Sequence, residues 1–162
     1  MQRDIRLEAF YPCPPADVWA ALTSRRELAS WLMENDFEAR PGARFHFQSK
    51  PMPGWDGRVD CQVQEIDGLR RLSYSWIGAR DMPPTTVTWT LMAEPGGTRL
   101  RLVHSGFSGL KYWLVSLYLG RSWKQILRQA LARHLDELAK ARGDCAKGDG
   151  GHPALGVGET GA

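Results

Sequence analysis

Apolar positions recur at every second residue through the middle of the chain and at every third or fourth residue toward both ends. Phe45 and Phe47 share one face of a strand that begins after Pro41-Gly42. Val59, Cys61 and Val63 share a face, with Arg58, Asp60, Gln62 and Gln64 opposite. After the Asp67-Gly68 turn, Leu72, Tyr74 and Trp76 alternate with Ser73 and Ser75. Beyond Pro83-Pro84, Val87, Trp89 and Leu91 alternate with Thr86, Thr88 and Thr90. The Pro95-Gly96-Gly97 turn leads to Leu100, Leu102 and His104, alternating with Arg99, Arg101 and Val103. Such alternation between short turns predicts an antiparallel sheet with one apolar face.

The flanks read differently. Ile5, Leu7 and Ala9 line one face of a strand over Arg3–Phe10, which Pro12, Pro14 and Pro15 end. Pro15 suits a first helical turn, where its missing N–H removes a donor that would be unpaired anyway. Val18, Ala21 and Leu22 then recur at helical spacing, as do Leu28, Trp31 and Leu32 beyond a break near Thr23-Ser24, so two short helices follow. Leu110–Arg142 reads as one long helix, with Trp123, Leu127, Ala130, Leu131, His134, Leu135 and Leu138 on one stripe. Arg121, Lys124, Arg128 and Arg133 lie largely off it. One amphipathic helix of that length covers one sheet face.

Residues 143–162 hold seven of the 17 glycines and no aromatic residue. Such a stretch buries too little surface to offset its ordering entropy, so the expected organisation is one domain over 1–142 and a disordered Gly-rich tail over 143–162. The tail spells a literal GxGxxG at Gly156–Gly161, but no strand precedes it and one residue follows it. Without a strand before and a helix after, the string holds no pyrophosphate.

Several motifs agree in order and spacing with a known family. They are Pro14-Pro15 through Val18-Trp19 to Thr23, Glu27-Leu28-Ala29-Ser30-Trp31-Leu32, Arg71–Trp76, Gly97–Leu102 leading into His104-Ser105-Gly106-Phe107, and Trp123 with Leu127, Leu131 and Leu135. Over about residues 3–140 the chain resembles the START/Bet v 1-like (SRPBCC) superfamily, in the branch named after the C-terminal domain of activators of the heat-shock protein 90 ATPase. The resemblance implies an α+β helix-grip fold: a curved antiparallel sheet of six to seven strands, two short helices and a long C-terminal helix. It also implies a cavity between sheet and helix. The superfamily includes lipid carriers, hormone receptors, aromatase/cyclase enzymes and co-chaperone modules, so the fold alone does not choose among them.

Composition narrows the classes. The 162 residues carry 21 Lys+Arg against 18 Asp+Glu, a net charge of +3, too small to argue for nucleic acid, and none is expected as a partner. Residues 1–110 are neutral, 111–142 carry seven basic residues against Asp136 and Glu137, and 143–162 are net acidic. The surplus charge thus sits in one segment. Cys13, Cys61 and Cys145 are odd in number and far apart, which fits a reducing compartment. The N-terminal residues carry no apolar h-region, and the expected location is the cytoplasm.

Candidate chemistry is sparse. Gly106-Phe107-Ser108-Gly109-Leu110 fails the GxSxG pattern at its last position, and the cysteines lack a visible His partner. His46, His104, His134 and His152 show no HxH or HExxH spacing, so neither a metal nor a cofactor is expected. No catalytic residue is assigned. His104 shares parity with Leu100 and Leu102 and faces the apolar side, where it either orients a ligand or is a core histidine bonded to a backbone group or to Tyr74. Phe45, Phe47, Tyr74, Trp76, Trp89 and Phe107 share that face. Large rings with a few polar tips are what an apolar small-molecule pocket uses, and they equally fill a core.

These seven residues are the candidate ligand site. The expected function is non-enzymatic binding of a small apolar or aromatic ligand between sheet and C-terminal helix. The alternatives are a protein-interaction module of co-chaperone type, and a cyclase- or hydrolase-like enzyme using His104 with Glu65 or Tyr74. Leu110–Leu119 is aromatic-rich and apolar, and a basic face follows it directly. That arrangement over Leu110–Arg133 suits a protein partner, a homodimer, an anionic membrane surface or a lid over the cavity mouth.

Overall fold

The computed structural model describes residues 2–142, so the expectations for the tail, Cys145 and His152 lie outside the described residues. Seven strands form one antiparallel sheet: β1 (Gln2–Tyr11), β2 (Glu34–Asn35), β3 (Arg44–Gln48), β4 (Arg58–Asp67), β5 (Arg71–Ile77), β6 (Thr85–Glu94) and β7 (Gly97–Ser108). Their spatial order is β1-β7-β6-β5-β4-β3-β2. The chain therefore meanders from β2 to β7, and β1 pairs with the last strand. Helices α1 (Pro15–Thr23) and α2 (Arg25–Trp31) carry the chain from one edge of the sheet to the other.

The break between these helices has a local cause. Pro15 opens α1 from an extended Pro14, and Val18, Ala21 and Leu22 turn inward. Ser24 is extended, and its side chain accepts the Glu27 backbone N–H at 3.4 Å, so the residue that ends α1 caps α2. The Trp31 indole then donates to the Ala21 carbonyl at 2.8 Å, locking the two helices together.

The period-two pattern places the side chains as expected. Val59, Cys61, Val63, Leu72, Tyr74, Trp76, Val87, Trp89, Leu91, Leu100, Leu102 and His104 are all buried on the face that the helices cover. Register shifts between Arg3 and Ile5 and between Val63 and Glu65 curve the sheet. The second shift turns Glu65 outward, where it pairs with Arg71 at 3.4 Å. Gly97 sits where any Cβ would run into the Tyr11 carbonyl, so a side chain there would push β1 away from β7.

The C-terminal helix runs without a break over Leu110–Arg142, as expected, in three segments: α3 (Leu110–Gln125), a π-helical segment (Ile126–Leu131) and α4 (Ala132–Arg142). The buried residues Trp123, Leu127, Leu131, Leu135 and Ala139 recur every four positions. In a 3.6-residue helix that spacing rotates the stripe by roughly 40° per step, away from the sheet. The wider π turn takes up the drift and keeps the stripe inward. The Tyr11 hydroxyl donates to the Leu127 carbonyl at 2.7 Å inside this segment, tying it to β1. His134 on α4 donates to Glu27 on α2 at 3.0 Å. No described helix is long and apolar enough to cross a membrane.

Candidate functional site

All seven sequence-predicted site residues lie on the concave face and are buried. Phe45 and Phe47 come from β3, Tyr74 and Trp76 from β5, Trp89 from β6, and His104 and Phe107 from β7. Phe45 meets Phe47 at 5.4 Å and Tyr74 at 5.2 Å between ring centroids. Phe47 meets Trp76 at 5.8 Å, Trp76 meets His104 at 5.4 Å, and His104 meets Phe107 at 4.7 Å. Most of these pairs are edge-on or tilted, the arrangement in which ring quadrupoles attract. Trp89 joins through its indole N–H, which donates to the Tyr74 hydroxyl at 3.0 Å.

The structure adds partners that the sequence reading left out of the site. Trp123 on α3 packs against Trp76 and Trp89, each at 5.5 Å. Trp31 on α2 meets Trp89 edge-on at 6.2 Å, and Phe37 meets Phe45 at 4.9 Å. Trp123 carried a signal, because it opens the C-terminal stripe. Thr85 also carried one, since it shares parity with Val87 and Trp89. Neither signal shows that both side chains bond to His104.

His104 sits in a directed hydrogen-bond chain. Trp123 Nε1 donates to Nδ1 at 3.1 Å, and Nε2 lies 2.7 Å from Thr85 Oγ1. Thr85 Oγ1 in turn donates to the Trp76 carbonyl at 3.0 Å. An indole N–H only donates and a carbonyl only accepts, so the two ends fix every proton between them. Nδ1 is bare, and the Nε2 proton goes to Thr85. Burial pushes the His104 pKa down to about 3, so the ring is neutral at ordinary pH. Its bonds go to Thr85 and Trp123, not to the backbone or Tyr74. With both nitrogens engaged, no lone pair is left to serve as a general base. Glu65 is on the opposite face and does not join His104.

Two other buried groups on this face, Tyr74 and Cys61, also keep their protons. Burial raises the Tyr74 pKa strongly, and the bond from Trp89 only partly opposes it. The phenol therefore keeps its proton. Burial, with nearby Asp60 and Asp36 adding to it, raises the Cys61 pKa, so its sulfur stays a thiol rather than a nucleophilic thiolate. Among the described residues, no group of three His, Cys, Asp or Glu side chains lies close enough to hold a metal ion. His46 pairs with Asp36 at 3.1 Å on the surface, and His134 with Glu27, far from His104 in the fold.

Comparison with known proteins places this geometry. A Mesorhizobium loti protein of known crystal structure is 32% identical and superposes with a TM-score of 0.75, over 83% of this chain and 98% of that one. The solution structure of a Bacillus halodurans protein is 29% identical, with a TM-score of 0.69 over 83% and 99%. The Aha1 dimer from Colwellia psychrerythraea shares the fold at 18% identity, with a TM-score of 0.65 over 77% of this chain and 90% of that one. No curated protein matches the chain significantly. The family model described as Activator of Hsp90 ATPase homolog 1-like protein matches residues 12–138. With its seven-stranded sheet gripped by a long C-terminal helix, the chain belongs to that family.

Proposed function

We propose that the aromatic interior binds a small apolar or aromatic molecule bearing an oxygen acceptor, without covalent chemistry. The observation that carries this reading is the Tyr74 hydroxyl. It accepts from Trp89, yet among the described residues no acceptor meets its own proton. A buried donor left unpaired costs about 1–3 kcal/mol, which an acceptor on a ligand would recover. The surrounding rings of Phe45, Phe47, Trp76, Trp89, His104 and Phe107 supply the apolar walls. These rings touch one another, so a ligand enters by replacing ring–ring contacts with ring–ligand contacts of the same kind. The buried Cys61 thiol fits work in the reducing cytoplasm.

The test is thermal shift together with tryptophan fluorescence across flavonoids, polyketide-like aromatics and lipids. A true ligand at a hundred times its Kd stabilises the native state by about 2.7 kcal/mol. Tyr74→Phe, referenced to its own unliganded melting point, should lose most of the shift. No response across the panel overturns the reading. It would favour instead a protein-interaction module of co-chaperone type or a homodimer, which family membership and the dimeric Colwellia relative support.

A further inference from the structure

Helix α3 carries two apolar faces where a surface helix needs one. Inward, Ser116 and Trp123 are buried, and Tyr112, Val115 and Leu119 pack against the core. Outward, Leu110, Leu114, Leu117 and Tyr118 are 62%, 53%, 40% and 64% exposed. They stand at i, i+4, i+7 and i+8, which aligns them as one stripe on the solvent side. Polar and charged side chains are what that side ordinarily carries.

The charges that do occur on α3 have one sign. Its sequence, LKYWLVSLYLGRSWKQ, contains no Asp or Glu, and Lys111, Arg121 and Lys124 are exposed around and beyond the stripe. Beside Leu117 the helix meets β1 in an open groove of about 450 Å³ whose charged lining is Arg3, Asp4, Arg6, Arg121 and Lys124. Asp4, the one acid there, is taken up by Arg6 at 3.2 Å. Among the described residues, Arg3, Arg121 and Lys124 have no carboxylate within ion-pair distance. Arg3 holds its guanidinium 5.9 Å from the Trp113 ring centre and has a buried Nε with no hydrogen-bond partner. The groove is a cluster of unspent cationic donors bordering an exposed apolar stripe.

We propose that this side of α3, with the β1 groove, docks on the surface of an anionic phospholipid bilayer. The stripe would enter the acyl boundary, and Arg3, Arg121 and Lys124 would meet headgroup phosphates. Both demands of the surface are then met by one partner. A two-fold contact with a second copy would lay one acid-free helix on another and oppose like charges. The inference stands apart from the interior ligand, because none of its residues belongs to the ring set.

The experiment is co-sedimentation of the full chain with vesicles of phosphatidylcholine, with and without phosphatidylglycerol. Binding is expected to the anionic vesicles alone and to weaken as salt is added. Each cation near the surface contributes about 1 kcal/mol, so Arg121→Gln with Lys124→Gln should weaken binding roughly 30-fold. Leu114→Ser with Tyr118→Ser should weaken it by tenfold or more on about 1.5–3 kcal/mol per buried large side chain. Both double variants should melt as the parent does, since these side chains are exposed. Equal binding to neutral vesicles, or no binding, overturns the proposal. So does full release by soluble glycerol phosphate, which would mark a free-anion site. A dimer in sedimentation equilibrium that Leu114→Ser with Tyr118→Ser abolishes, without vesicle binding, assigns the stripe to a second copy and overturns it equally.

Discussion

Trp123 on the long helix donates its indole N–H to Nδ1 of His104 on the last strand, 3.1 Å away. This bond crosses the interface on which the fold depends, between the sheet and the helix that grips it. It also sets the tautomer of the ring, and through Nε2 it engages Thr85 and the Trp76 carbonyl. A histidine so placed behaves as a core polar residue whose stability contribution depends on staying neutral.

That dependence fixes a pH profile. The folded pKa of about 3 lies below the ordinary histidine value of 6.5, so the unfolded chain takes up the proton first. Stability from this group is complete above about pH 6.5 and declines as pH falls toward 3, by up to about 1.4 kcal/mol per unit. Urea unfolding across that range should show the slope, and His104→Gln should flatten it. An unchanged slope in the variant would assign the acid sensitivity to other groups.

The Trp89–Tyr74 pair makes a second prediction. Tyr74→Phe removes the acceptor and leaves a buried indole N–H unpaired, which costs about 1–3 kcal/mol. Trp89→Phe removes the donor, leaves the buried Tyr74 hydroxyl without its partner and opens a void, so it costs that bond and the contacts of the lost ring. Denaturant midpoints for the two variants and their double should be non-additive, because the pair is in direct contact.

The π segment predicts a specific weakness at its tie to β1. Tyr11→Phe deletes the hydroxyl that donates to the Leu127 carbonyl at 2.7 Å. A loss of about 1 kcal/mol is expected, with faster amide exchange confined to residues near 126–131. Unchanged exchange there would mean the segment is held by side-chain packing alone.

Two leucines of the same helix should separate cleanly. Leu131 is fully buried, and Leu131→Ala should cost about 2–5 kcal/mol by thermal or urea unfolding. Leu114 is 53% exposed, and Leu114→Ala should stay within about 0.5 kcal/mol of the parent.

The local pattern determined a good deal. Alternation along β4 to β7 placed Val59 through His104 on the covered face, because side chains of a strand alternate by geometry alone. Pro15 and Ser24 marked the helix starts, because capping is a matter of a few neighbouring atoms. Most of the candidate ring set was legible for the same reason, but Phe107 breaks the parity of Leu100, Leu102 and His104 and turns inward only through the bulge opposite Arg3 and Ile5. What the pattern could not decide depends on which residue meets which across the sheet and helix. The partners of His104 are 19 residues away in both directions, and Thr85 and Trp123 meet it only because β6, β7 and α3 converge. The spacing of four along Trp123 to Leu135 was visible, but its resolution as a π turn follows from the sheet beneath it. The apolar run Leu110–Leu119 beside a basic face already pointed to a surface, but not to which side chains form it. Leu110, Leu114, Leu117 and Tyr118 stay outside because the packed fold has one inner face to fill.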